Sequence, residues 1–224
     1  MLSVVIPTLD AAKTLPACLT ALYEPAIAGA VRQVVVSDGG SSDTTLAVAE
    51  NAGCDILRGD RGRGRQLAAG AEAARADWLL FLHADTVLEE GWDDEAVRFA
   101  NRHGPGAAAA FRFALDDDGW RPALLERAVA LRSRLLALPY GDQALLISRR
   151  LYDRIGGYGD MPIMEDVDIV RRIGRPNLHH LSSRAVTSAA RYRDGYAARV
   201  LRNARCLTLY RLGVPPAKIA RVYE

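Results

Sequence analysis

Val34-Val35-Val36-Ser37-Asp38-Gly39-Gly40-Ser41-Ser42-Asp43 compresses a strand, its end and the start of a helix into one run. The three valines suit a pleated, buried strand. Asp-Gly-Gly breaks it with a sharp polar turn, and Ser-Ser-Asp is the cluster that precedes a helix, here the stretch Thr44–Asn51. The same unit repeats on either side. Strands are predicted at Leu2–Ile6, Gln33–Ser37, Asp55–Arg58 and Trp78–His83, with further helices at Leu15–Leu22 and Gly64–Arg75. Such alternation predicts an α/β fold, a mostly parallel central sheet with helices on both faces. From about Ala108 the pattern changes to a strand at Ala109–Leu115, a basic amphipathic helix at Arg121–Leu138, a strand near Ala144–Ser148 and late helices. With no linker or repeat in view, residues 1–224 read as one domain with two halves, 1–110 and 111–224.

A chain of 224 residues, 50% hydrophobic and 25% charged, buries a sizeable core. Cys18, Cys54 and Cys206 are scattered without metal spacing or a pairing framework, so they read as reduced, packed thiols. Met1–Pro7 reads as a strand rather than a leader, and the densest apolar run, Trp78–Leu82, is far short of a membrane span. A soluble, cytoplasmic protein is expected. Residues 1–110 carry 9 Lys/Arg against 15 Asp/Glu, a balance of −6, and residues 111–224 carry 20 against 12, a balance of +8. The second half is therefore suited to face an anion. Nucleic acid is disfavoured because no binding module is present. Peripheral contact with anionic lipid through the basic helices near Arg121–Leu138 and Arg199–Arg211 is one reading, and packing of one helix face on the core explains them equally well.

In open α/β sheets ligands bind beyond the carboxyl ends of the strands. That rule singles out Pro7-Thr8, Asp38-Gly39-Gly40 and His83-Ala84-Asp85. A carboxylate at Asp38 is suited to hydrogen-bond a base or ribose, the alternative for Asp38 or Asp43 being a helix cap, which is the better reading for Asp43. Asp85 is a hard-oxygen ligand for Mg2+ or Mn2+, and His83 offers nitrogen to the softer Mn2+. Glu165, Asp166 and Asp168 open a helix whose apolar stripe is Val167, Val170 and Ile173. Acids favour helix starts for dipole reasons, yet a general base also needs such a rigid mount. Physics alone does not separate Glu165 from Asp166. Arg61, Arg63 and Arg65 lie in a glycine-rich loop able to fold guanidinium groups over a phosphate, although it lacks the Gly-Lys-Ser/Thr ending of a P-loop. His179 and His180 read as surface or packed side chains.

Together these motifs resemble family-2 glycosyltransferases, which have the GT-A fold. Val4–Asp10 resembles the opening V-I-P-T-x-N segment, Val34–Asp43 the V-D-G-G-S-T-D segment, Leu80–Asp85 the strand ending in D-x-D, and Glu165-Asp166 the later E-D pair. The resemblance runs over about residues 2–175. It implies a nucleotide-diphospho-sugar transferase whose first half binds the nucleotide and whose second half faces the acceptor. Donor contacts are implied at Pro7, Thr8, Asp10, Asp38, Arg65, Ala84, Asp85 and Arg191, and metal ligation of Mn2+ or Mg2+ at Asp85, with His83 beside it. Asp166, ranked above Glu165, is implied to be the base of an inverting displacement on a UDP-sugar, and Asp142 and Gln143 to lie on the acceptor side. Two positions depart from the pattern: His83 stands where a first Asp is common, and Ala11 where an acid often follows the opening motif. A closer likeness is to small transferases associated with radical-SAM or selenoprotein-like domains, arsenosugar biosynthesis glycosyltransferases among them. It is carried by Leu82–Thr86, Leu138–Gln143, Pro162–Asp166 and Tyr210–Val214. A non-catalytic relative that holds a nucleotide sugar or a membrane surface is the alternative. A sugar nucleotidyltransferase is disfavoured because Pro7-Thr8-Leu9-Asp10 replaces the Gly-rich phosphate loop expected after its first strand.

Overall fold

The valines of the opening run form the middle of strand β2 (Val31–Asp38), which pairs in parallel with β1 (Leu2–Thr8) and β3 (Asp55–Arg58). The computed structural model describes residues 1–192 and 195–223, the side chains of Arg191 and Tyr223 excepted. On the other side of β1 lies β4 (Trp78–Phe81), also parallel. Then come β5 (Thr86–Leu88), β6 (Ala108–Leu115), β7 (Leu145–Ser148) and β8 (Leu178–Thr187), giving the sheet order β3-β2-β1-β4-β7-β6-β8-β5. The parallel expectation holds for β3-β2-β1-β4 and for β6-β8, whereas β7 and β5 run antiparallel to their neighbours. Strands from both halves interleave, since β5 of the first half joins the far edge of the sheet beside β8 of the second.

The helices are α1 (Leu15–Ile27), α2 (Thr45–Asn51), α3 (Arg63–Ala73), α4 (Trp92–His103), α5 (Trp120–Leu136), α6 (Arg149–Arg154), α7 (Glu165–Ile173), α8 (Tyr196–Arg211) and α9 (Pro216–Tyr223). Strand alternation divides the core between the two faces. Val4, Ile6, Leu80 and Leu82 pack with Leu15, Cys18, Leu22, Trp92 and Phe99 on one face. Val5, Leu79 and Phe81 pack with Leu67, Leu151, Val167 and Val170 on the other. Each such side chain removed from water contributes about 1.5–3 kcal/mol before entropy is charged against it. His179 lies edge-on against Phe99 and tilted against His103 of α4, as a packed histidine. No helix among the described residues is long and apolar enough to cross a membrane.

The predicted strand Trp78–His83 stops at Phe81. There the chain leaves the sheet, with Leu82 N–H still donating to Val5 C=O and His83 C=O accepting from Thr86 N–H, so His83, Ala84 and Asp85 form a turn at the strand end. Ser188 N–H donates to the Asp85 carbonyl, and the Thr187 hydroxyl bonds both Thr86 Oγ1 and the Asp142 carbonyl. The end of β8, which had no clear sequence signal, thus ties the Asp85 turn to the Asp142 turn.

Candidate active site

A cavity of ≈ 790 Å³ opens at the carboxyl ends of β1 and β4, the place open α/β sheets reserve for ligands. Pro7, Thr8 and Asp10 form one wall, His83, Ala84 and Asp85 another, and Glu165 and Asp166 at the start of α7 a third. Arg61, Arg63 and, from α8, Arg199 bring cations to the same space.

Asp10 holds its wall in place from a left-handed backbone position (φ 50°). Its carboxylate accepts from Ser42 N–H at 2.8 Å and from the Ser42 hydroxyl, while its own N–H donates to Ser41 Oγ. Asp43 stands one residue before the N-cap Thr44 of α2, accepting from Thr45 N–H and tying the turn to Ala12 N–H, so it steadies the helix start without being its N-cap. Asp38 differs from what the family resemblance implies. It is 2% exposed and absent from the cavity lining. Its two oxygens accept from Thr8 Oγ1, Gly40 N–H, Ser41 N–H and Ser41 Oγ. Burial alone would raise its pKa, but the Ser41, Thr8 and Gly40 hydrogen bonds outweigh it and hold the carboxyl below its usual value. Asp38 therefore organises the β1 and β2 loops from behind the wall. Gln66 assists, donating to the carbonyls of Thr8 and Ser37.

Asp85, Asp142 and Asp166 all line the cavity. Asp166 Oδ2 accepts from Gly141 N–H at 2.8 Å and Oδ1 from Val167 N–H at 2.7 Å, so the start of α7 is fastened to the Tyr140–Gln143 turn. A Cβ at Gly141 would lie 2.7 Å from His83 Nε2 and 3.6 Å from Asp166 Oδ2, so any larger residue there would have to displace the His83 ring. His83 is thereby packed on the glycine that Asp166 holds. Among the described residues no three His, Cys, Asp or Glu side chains form a ready-made metal cage. Mg2+ and Mn2+ do not need one, since they take one or two carboxylates and complete their shells with water and substrate phosphates. Asp85 is a carboxylate of that kind on the cavity lining. Gln143 belongs elsewhere: 2% exposed and off the lining, it accepts from Ser133 Oγ and donates to Phe111 C=O, bracing α5 to β6.

Of the arginine loop, Arg61 and Arg63 reach the cavity, and Arg65 does not line it. Arg65 instead makes a two-pronged pair with Asp160 and a contact to Asp60. That pair clamps the loop to the segment leading into α7, as does Gly64 N–H donating to Met161 C=O. A Cβ at Gly64 would sit 2.3 Å from the Gly159 carbonyl oxygen, so the two loops close only around glycine. The Arg191 side chain lies outside the described residues. Arg199 and Asn203 of α8 and Ala220 of α9 line the cavity without any local sequence signal.

Glu165 is 2% exposed and meets Arg63 Nη1 at 3.5 Å. Burial pushes its pKa up, the adjacent Asp166 carboxylate adds to the rise, and Arg63 only partly offsets it, leaving it at about 7. An acid whose folded pKa lies above its unfolded value loses stability as pH climbs between the two, here from 4.5 to about 7, and nothing further beyond. The loss is on the order of 3 kcal/mol. Urea unfolding is expected to show the wild type losing stability relative to Glu165→Gln as pH rises from 5 to 8. Parallel profiles for the two proteins would refute the assignment.

The sheet and its cavity belong to the GT-A fold, the class shared by solved structures at low sequence identity. Staphylococcus aureus TarS 1-349 in complex with UDP-GlcNAc aligns with TM-score 0.65 at 18% identity, over 83% of this chain and 58% of that one. Glucosyl-3-phosphoglycerate synthase from Mycobacterium tuberculosis in complex with Mn2+, UDP and glucosyl-3-phosphoglycerate aligns with TM-score 0.63 at 20% identity, over 96% of this chain and 81% of that one. More specifically, residues 3–159 match the model of glycosyl transferase family 2, and the chain belongs to that family. A PGL/p-HBAD biosynthesis glycosyltransferase of Mycobacterium bovis (strain BCG / Pasteur 1173P2) is 37% identical over 97 residues, 40% of this chain and 37% of that relative's length.

Proposed function

We propose that the protein transfers a sugar from a nucleoside-diphosphate sugar, UDP-linked by preference, to an acceptor hydroxyl with inversion at the anomeric carbon. The observation that carries this reading is the convergence of Asp85, Asp142, Asp166 and Glu165 with Arg61, Arg63 and Arg199 around one cavity. Family membership and the UDP-bound solved relatives support it.

Asp166 acts as the base, accepting the proton of the acceptor hydroxyl from its fixed position at the start of α7. Pro7, Thr8, Asp10 and Ala84 shape the donor side, Arg61 and Arg63 face the diphosphate, and Asp142 faces the acceptor. Glu165 works through Arg63, whose guanidinium it anchors. Asp85, with His83 nearby, would hold Mn2+ or Mg2+, which neutralises charge on the leaving nucleoside diphosphate. The whole chain works as one domain, and the setting is cytoplasmic.

Thermal unfolding in the presence of UDP, UDP-glucose, UDP-GlcNAc and GDP-mannose tests the donor class. Ligand at about a hundred times its Kd adds about 2.7 kcal/mol, which corresponds to a rise of about 5–10 °C in Tm. A rise is expected with a UDP-sugar plus MnCl2 and a smaller one with EDTA. No rise with any of these nucleotides in the presence of MnCl2 would overturn the reading.

A further inference from the structure

Helix α5 carries apolar side chains on two opposite faces, and only one is used by the fold. Pro122, Val129 and Ser133 are buried, and Leu125 and Val129 pack with Phe113, Leu115, Tyr192 and Tyr196. On the outer side Trp120, Leu124, Leu131 and Leu135 are 71%, 59%, 60% and 59% exposed. Their spacings of four, seven and four residues place them in one stripe along the helix. Arg121, Arg127 and Arg134 are exposed on the same helix. Its lone acid, Glu126, is spent inward, accepting from Leu115 N–H at 3.0 Å. Two of the acids just before the helix are also engaged, Asp116 by Ala189 N–H and Asp117 by the Tyr196 hydroxyl.

We propose that this face of α5 docks on an anionic lipid bilayer, with the helix lying in the interfacial plane. A stripe of leucines ending in a tryptophan and flanked by arginines matches what such a surface asks for. The apolar side chains enter the acyl boundary, tryptophan sits at headgroup level, and the long arginine stems reach up to lipid phosphates. The 17-residue helix would lie along about 25 Å of the surface. A second copy of the chain is a poorer occupant, because a two-fold pairing of this face would set arginines against arginines. The inference stands apart from the proposed reaction and fails or succeeds without it.

Tryptophan fluorescence reads the contact directly, since Trp78 and Trp92 are 8% and 1% exposed and Trp120 alone of the three is open to solvent. Adding phosphatidylcholine vesicles containing phosphatidylglycerol at low salt is expected to blue-shift the emission and to carry the protein into the pellet on sedimentation. High salt, vesicles of pure phosphatidylcholine, or the charge variant Arg121→Ala/Arg127→Ala should each weaken partitioning by about tenfold or more. Leu131→Asp/Leu135→Asp, at exposed positions that leave the core intact, should abolish it. Absence of binding to the anionic vesicles, or unaltered binding by both double variants, would overturn the proposal. A concentration-dependent dimer that Leu131→Asp dissolves would overturn it too, by assigning the face to a second copy.

Discussion

Asp85→Ala is expected to lower sugar transfer by about a thousandfold, roughly the several kcal/mol of charge stabilisation that a bound divalent ion supplies at a leaving diphosphate. The position explains why the loss should be chemical and not structural. The backbone bonds at the turn, Thr86 N–H to His83 C=O and Ser188 N–H to Asp85 C=O, are both kept by alanine. The variant should therefore melt like the wild type while losing the Mn2+-dependent part of its UDP-sugar stabilisation. Release of UDP from a UDP-sugar, followed against MnCl2 concentration, is the measurement. Wild-type turnover with an unchanged metal requirement would remove Asp85 from the metal site.

Asp166→Asn is expected to reduce kcat by about 10²–10⁴-fold, the usual range for loss of a positioned base. Asparagine is the right probe because the native carboxylate has a second duty, accepting from Gly141 N–H and Val167 N–H. One amide oxygen retains one of those bonds and leaves the other donor short of a partner, a cost of about 1–3 kcal/mol to stability. Donor binding should survive, since the exchange removes no group from the Pro7–Asp10 wall. Full activity in Asp166→Asn, with collapse instead in Glu165→Gln, would move the base to its neighbour.

The buried, arginine-paired state of Glu165 bears on that contrast. Sequence left the two adjacent acids equivalent, and only resemblance ranked them. In the folded protein Glu165 is buried at the cavity wall against Arg63, while Asp166 stays partly open beside His83 and Gly141. The register of α7 decides this, because adjacent residues on a helix point about 100° apart and face different surroundings.

The strands around Val34–Val36, the polar turns that end them and the helix after Asp43 were legible in the amino-acid order, because hydrophobic period and turn chemistry act over a few residues. Asp85, Glu165 and Asp166 were legible as candidates for the same reason, whereas Asp142 was reached only through the family resemblance. What only the tertiary structure decided are relations between distant segments. Asp38 ended behind the cavity wall, where Thr8, thirty residues earlier in sequence, adds one donor to the three that Gly40 and Ser41 supply from its own turn. Arg65 was drawn to Asp160, ninety-five residues away, leaving Arg61 and Arg63 to face the cavity. Gln143 became a brace for α5, and Arg199 and Asn203 arrived from α8. Each outcome depends on which elements pack side by side, and a side chain's partner across such a contact leaves no trace in its immediate neighbours along the chain.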